Sequence, residues 1–212
     1  MKRAVWLALL MLGSTTSWAG RPLSVDDANV NESGAGHVEM WVSREAAKGN
    51  LYNIAPAYAV ADGVEIGALL SRDSAARETL TALQAKWRIT ASQDDGCNVA
   101  AAFGLARSSG SGDSAAYLNG LLSCNGTAAG NLHVNLGGVK RSGVSLNASW
   151  SVALERAIGS FTPHVEWFGE QGRSATFQIG ARTEISKGLQ LDGTVGRTAG
   201  NAVYSVGTKV QF

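Results

Sequence analysis

Ala202-Val-Tyr-Ser-Val-Gly-Thr-Lys-Val-Gln-Phe212 is the stretch whose reading decides the fold. In steps of two, Phe212, Val210, Thr208, Val206 and Tyr204 share one side, and Gln211, Lys209, Gly207, Ser205 and Val203 share the other. A mostly apolar row alternating with a mostly polar one predicts a β-strand between two different environments. A closing strand that ends on an aromatic suits a bacterial outer-membrane barrel. There the last strand pairs with the first, and Phe212, with Tyr204 upstream, would serve as the signal read by the barrel-assembly machinery.

The opposite end points to the same compartment. Met1-Lys2-Arg3 is a basic head, residues 4–12 are apolar, and Ser17 and Ala19 are the small residues before an expected cut. This pattern predicts a secretory signal peptide over residues 1–19, too short to span a bilayer as a helix. Cleavage there would leave 193 residues with 16 basic and 17 acidic side chains. So even a balance, without a basic cluster, carries no electrostatic footprint for nucleic acid. No later apolar run approaches the length of a membrane helix, so a membrane-embedded chain would have to be a closed barrel. Gly is abundant at 26, Pro rare at 3, and only 17% of residues are charged, which is low for a soluble surface.

Residues 20–35 are polar and aperiodic, and read as a periplasmic lead-in tucked under or into the barrel mouth. From residue 36 to 212 the pattern predicts alternating segments at 37–43, 51–61, 64–71, 80–91, 97–107 and 115–124. Six more follow at 131–139, 144–155, 160–168, 175–185, 189–197 and 202–212. Their lengths match strands that cross the hydrocarbon layer on a tilt. Twelve is the expected number, with ten or fourteen as alternatives, in an antiparallel up-and-down transmembrane β-barrel. Leu83, Ala85, Trp87 and Ile89 oppose Gln84, Lys86, Arg88 and Thr90. Val144, Leu146, Ala148, Trp150, Val152 and Leu154 likewise oppose Ser145, Asn147, Ser149 and Ser151. A soluble sandwich or lipocalin-like barrel would alternate in the same way with the faces exchanged. Two segments fit less well. Trp41 shares the parity of His37 and Glu39, which requires a bulge or a lumenal Trp, and Pro56 interrupts the second segment, where a bulge is the simplest repair.

Cys97 opens the fifth segment and Cys124 closes the sixth. A hairpin centred between Gly110 and Ser111 pairs Cys97 with Cys124, Val99 with Leu122, Phe103 with Leu118 and Leu105 with Ala116, all on the apolar face. It also sets Tyr117 against Gly104 on the other face. In an oxidising compartment this predicts a disulfide. Two Cys without a His cluster give no metal signal.

Parity assigns Glu39, Glu65, Lys86, Arg88, His133, Asn135, Asn147, Glu155, His164, Glu166, Gln178 and Arg182 to the lumen. They would line a polar pathway or binding site, or else form an internally satisfied network. His164 and Glu166 share a face and could act as base and acid, as in an outer-membrane lipid-modifying enzyme. No nucleophile motif, nucleotide loop or metal-ligand spacing accompanies them, so no enzyme, cofactor or metal is expected.

Arg21-Pro-Leu-Ser-Val-Asp-Asp-Ala28, Gly36-His-Val-Glu39, Pro56-Ala-Tyr58 and Gly63-Val-Glu-Ile-Gly67 together resemble outer-membrane proteins of the MetA-pathway of phenol degradation family. The resemblance is clearest over residues 20–90. It implies a β-barrel in a Gram-negative outer membrane, with a lean towards transport of hydrophobic or aromatic molecules, and it brings no catalytic residues. The expected role is passive passage or binding of a small molecule. The alternatives are a side-chain-plugged structural barrel and, behind it, a lipid-modifying enzyme.

Overall fold

A computed structural model describes residues 23–45 and 49–212. The expected signal peptide and the first residues of the lead-in lie outside the described residues. Twelve strands follow in order: β1 (Gly36–Glu45), β2 (Asn50–Ala61), β3 (Val64–Asp73), β4 (Thr79–Arg88), β5 (Gly96–Ser108) and β6 (Ser114–Thr127). The second half comprises β7 (Gly130–Arg141), β8 (Asn147–Glu155), β9 (Phe161–Glu170), β10 (Thr176–Ser186), β11 (Leu189–Thr198) and β12 (Asn201–Gln211). Each strand pairs antiparallel with its chain neighbours, and β1 pairs with β12, so the sheet closes into a barrel. Closure satisfies the backbone of both terminal strands. Gly36 and Phe212 exchange two backbone hydrogen bonds at 2.8 and 2.9 Å at the seam. The rim at which β1 begins and β12 ends is called the proximal rim below, and the opposite rim the distal one.

The two faces of the sheet settle the choice between a membrane and a soluble barrel. Leu83, Leu105 and Leu136 point outward and are each 65% exposed, whereas Glu39, Lys86, His133 and Glu166 point inward and are buried. In water this arrangement would expose a continuous apolar belt and bury charges at large cost; in lipid each face meets its own solvent. Trp150 and Trp167 add an edge-on aromatic pair, 4.7 Å apart, on neighbouring strands β8 and β9. No helix among the described residues is long and apolar enough to cross a membrane.

The hairpin register of β5 and β6 agrees with the sequence reading: Cys97 faces Cys124, Val99 Leu122, Phe103 Leu118, and Gly104 Tyr117. Cys97 and Cys124 form the disulfide. Gly104 is required by its partner, because a Cβ there would lie 2.5 Å from the Tyr117 ring. The Asp62-Gly63 turn also forms, with Ala61 opposite Val64 and Gly63 at a φ of 71°.

Three local expectations change. Pro56 needs no bulge: it lies opposite Val38 of β1, and the β2–β3 register is the same on either side of it. The pairing with β3 skips Ala55 and Pro56, and the irregularity falls instead between Ala59 and Ala61. Val144 and Leu146 precede β8 in the distal turn rather than extending its apolar row. Finally, β4 ends at Arg88, and Ile89 and Thr90 turn over to the Val99 carbonyl. Trp41 takes the lumenal option, without a bulge in either β1 ladder.

Breaking the disulfide should lower barrel stability by about 2–4 kcal/mol, since it closes a loop of 27 residues in the unfolded chain. Unfolding of the refolded protein in detergent, compared with Cys97→Ser/Cys124→Ser, checks this. The barrel itself should still assemble, because eleven other residue pairs hold the same hairpin.

Candidate functional site

Irregular polar backbone can be buried only if its N–H and C=O groups find partners. Residues 23–35 are such a segment, and they lie inside the barrel. From the proximal rim, where Gly34 N–H donates to the Ala59 carbonyl at 3.0 Å, the chain runs into the lumen. Glu166 Oε2 accepts from the backbone N–H of Ser24 at 2.5 Å and of Val25 at 2.9 Å. Gln178 Nε2 donates to Ser24 Oγ and to Glu166 Oε1, both at 2.8 Å. The Ala28 N–H donates to Ser123 Oγ at 2.8 Å, which in turn lies 2.7 Å from His133 Nδ1. Asn31 Nδ2 donates to Glu65 Oε2 at 2.8 Å and sits 2.8 Å from His37 Nδ1.

The charged anchor of this segment is Asp26 with Lys86. Lys86 Nζ stands 2.7 Å from Asp26 Oδ1 and donates to the Asp27 carbonyl at 3.1 Å. Both side chains are almost wholly buried. Burial pushes the Asp26 carboxyl up to about 7, against the downward pull of Lys86. On Asp27 burial also acts upward, but Lys86, His133 and Lys209 outweigh it and hold that carboxyl below its ordinary value. Apolar contacts complete the docking: Leu23 and Val25 pack with Ala153 and Phe168, and Ala28 packs with Ala100, Ala102 and Leu121.

Lys86, Asn98, Ser123, His133 and Glu65 lie near the proximal ends of their strands, whereas Glu166 is central in β9 and Gln178 and Phe168 lie near the distal ends of β10 and β9. The segment therefore climbs from the proximal rim past the middle of the lumen. The distal half is walled differently. Ala55, Leu69, Ala82 and Ala106 form an apolar cluster on the inner face, with Trp41 and Leu80 packed against it. A cavity of about 1190 Å³ runs beside the segment, bordered by Asp94, Asp95 and Asn125 at the proximal rim and by Glu45, Glu78 and Arg173 at the distal rim.

Among the residues expected in the lumen, Glu39, Glu65, Lys86, His133, Glu155, Gln178 and Arg182 border this cavity. Arg182 Nη2 donates to Glu155 Oε1 at 3.0 Å, and Lys209 Nζ lies 3.5 Å from Glu39 Oε1. The remaining candidates are engaged elsewhere. Arg88 pairs with Asp62 at 2.9 Å in the proximal turn. Asn135 is buried in the wall. Asn147 donates to Glu170 at 2.9 Å. His164 Nε2 is 3.6 Å from Glu166 Oε1, and its ring lies against Gly180, where a Cβ would come within 2.5 Å of it. The carboxylate weighed as an acid–base partner of His164 is thus occupied by the backbone of Ser24 and Val25.

Several inner-face residues escape a parity reading. Arg141 and Glu170, bidentate at 2.5 and 2.7 Å, fall in stretches that read as turns, because β7 and β9 each run farther than their alternation suggests. Ser24, Asp26 and Asn31 lie in the aperiodic lead-in and carry no signal of what they meet. No group of three or more His, Cys, Asp or Glu suited to a metal occurs among the described residues.

A family model described as "Uncharacterised conserved protein UCP029691" matches residues 7–212. The chain belongs to that family. No curated protein matches the sequence. Among solved structures, the barrel is similar to the KdgM porin in complex with disordered oligogalacturonate, at 12% identity and a TM-score of 0.73, covering 83% of this chain and 99% of that one. A second KdgM porin structure gives 15% identity and a TM-score of 0.67, with the same coverage. The Acinetobacter baumannii outer membrane protein Omp33 gives 6% identity and a TM-score of 0.57, covering 85% and 100%. Identities this low speak to the fold alone, and that fold, with its apolar exterior, is the outer-membrane β-barrel.

Proposed function

We propose that this protein provides passive passage, or a binding vestibule, for a small solute across the outer membrane of a Gram-negative bacterium. The observation that carries the reading is the cavity, which reaches both rims although residues 23–35 lie inside the lumen. A barrel kept for structure alone has no need of an open space that runs from rim to rim. The apolar distal wall of Trp41, Leu69 and Leu80 supports a solute with a hydrophobic or aromatic part. That is the direction in which the resemblance to the MetA-pathway of phenol degradation family leans. Lipid around the belt, and an assembly machinery that reads Phe212 and Tyr204, complete the proposal.

Liposome swelling with the purified chain, using uncharged solutes of graded size, tests it. Small solutes should enter faster than in protein-free vesicles, with a sharp upper size limit. Absence of flux at every size would instead favour a plugged structural barrel, a reading supported by the hydrogen bonds that dock residues 23–35.

A further inference from the structure

Sign of charge is the property of the cavity that would most restrict its solutes. Among the described residues, ten carboxylates and five cationic side chains border it. Four of the five cations are already matched: Lys86 with Asp26, Lys209 with Glu39, Arg182 with Glu155 and Arg173 with Glu170. The surplus lies with carboxylates whose partners are neutral. Glu65 accepts from Asn31, Asp73 from the backbone N–H of Ala75 and Ala76, and Glu78 from Ser108. The surplus is also spread along the path: Glu32, Asp94 and Asp95 border the cavity towards the proximal rim, and Glu45, Asp73 and Glu78 border it towards the distal rim. Glu155, by contrast, is already engaged, by Arg182 at 3.0 Å and His133 at 3.7 Å.

We infer that the lumen favours small cations over small anions, with the carboxylates that border it at both mouths drawing cations in. This rests on the passage reading above and narrows its solute class. Carboxylates along a confined, low-dielectric passage act on the same ion one after another, so their effect on a mobile charge accumulates. A mean lumenal potential of only about one thermal unit would enrich a monovalent cation over a monovalent anion about sevenfold.

The test is the reversal potential of the full-length protein in planar bilayers under a KCl gradient. A permeability ratio of K⁺ to Cl⁻ of several-fold near 0.1 M is expected. It should fall as salt rises to 1 M and the screening length shrinks from about 10 to about 3 Å. Replacing rim carboxylates in Glu45→Gln/Glu78→Gln/Asp94→Asn/Asp95→Asn should move the ratio towards one while conductance persists. If that variant fails to fold, the salt series on the native chain still decides. A ratio at or below one in dilute salt overturns the cation inference and leaves passage standing. Silence both in the native chain and in a variant lacking residues 23–33 overturns passage and this inference together.

Discussion

Deleting residues 23–33 should raise the single-channel conductance several-fold while leaving a barrel that still resists detergent until heated. The segment occupies the lumen through hydrogen bonds to Glu166, Gln178, Ser123 and Glu65, and contributes no strand to the sheet. Closure by β1 and β12 begins at Gly36, beyond the deletion, so the wall keeps every ladder it has. What the variant loses is internal packing around Leu121, Phe168 and Ala153, and water can replace the polar contacts there. Bilayer recordings of both proteins check the result. Equal conductance would mean that the segment leaves the narrowest point of the lumen unaffected.

The second large effect concerns the anchor. Lys86→Met should weaken docking of the segment by about 3–5 kcal/mol, because Asp26 would be left buried without its cation. The amides of Ser24, Val25 and Ala28 should then exchange with deuterium faster by about a hundred- to a few-thousand-fold, while strand amides keep their protection. Adding Asp26→Asn to Lys86→Met should recover much of the loss, since the uncompensated charge, rather than the missing pair, carries most of the cost. The defect also has a sign in pH. Burial raises the docked Asp26 carboxyl above its ordinary value, so docking is strongest when that group is protonated and weakens as pH rises through the raised pKa. Without Lys86 to oppose the rise, the single variant should re-dock as the medium is acidified. A loss of docking independent of pH would show that contacts other than the Asp26 charge dominate.

The wall was largely legible in the residues themselves. Strands with one face in lipid and one in the lumen must alternate, and a slip of one residue would turn every side chain of a strand to the wrong solvent. That is why the pairing of Cys97 with Cys124 and of Phe103 with Leu118 could be read from a hairpin centre and agrees with the observed register. Strand ends were less legible, because alternation stops informing where a strand leaves the lipid. For that reason the alternation misses Arg141 and Glu170, which lie at the ends of β7 and β9, and takes in Val144 and Leu146, which precede β8.

Alternation and hairpin chemistry are properties of neighbours along the chain, so the sequence by itself determined alternating strands, the β5–β6 register and the pairing of Cys97 with Cys124. The closed count of twelve and the outward turn of the apolar face are decided by the tertiary structure. The occupant of the lumen belongs to the tertiary structure. Val25 meets Glu166 across 141 residues, and Ser24 meets Gln178 across 154. Nothing in the local pattern of residues 23–35 names those partners, because a buried polar segment is stabilised by matching donors and acceptors in space, and such matching has no period along the chain.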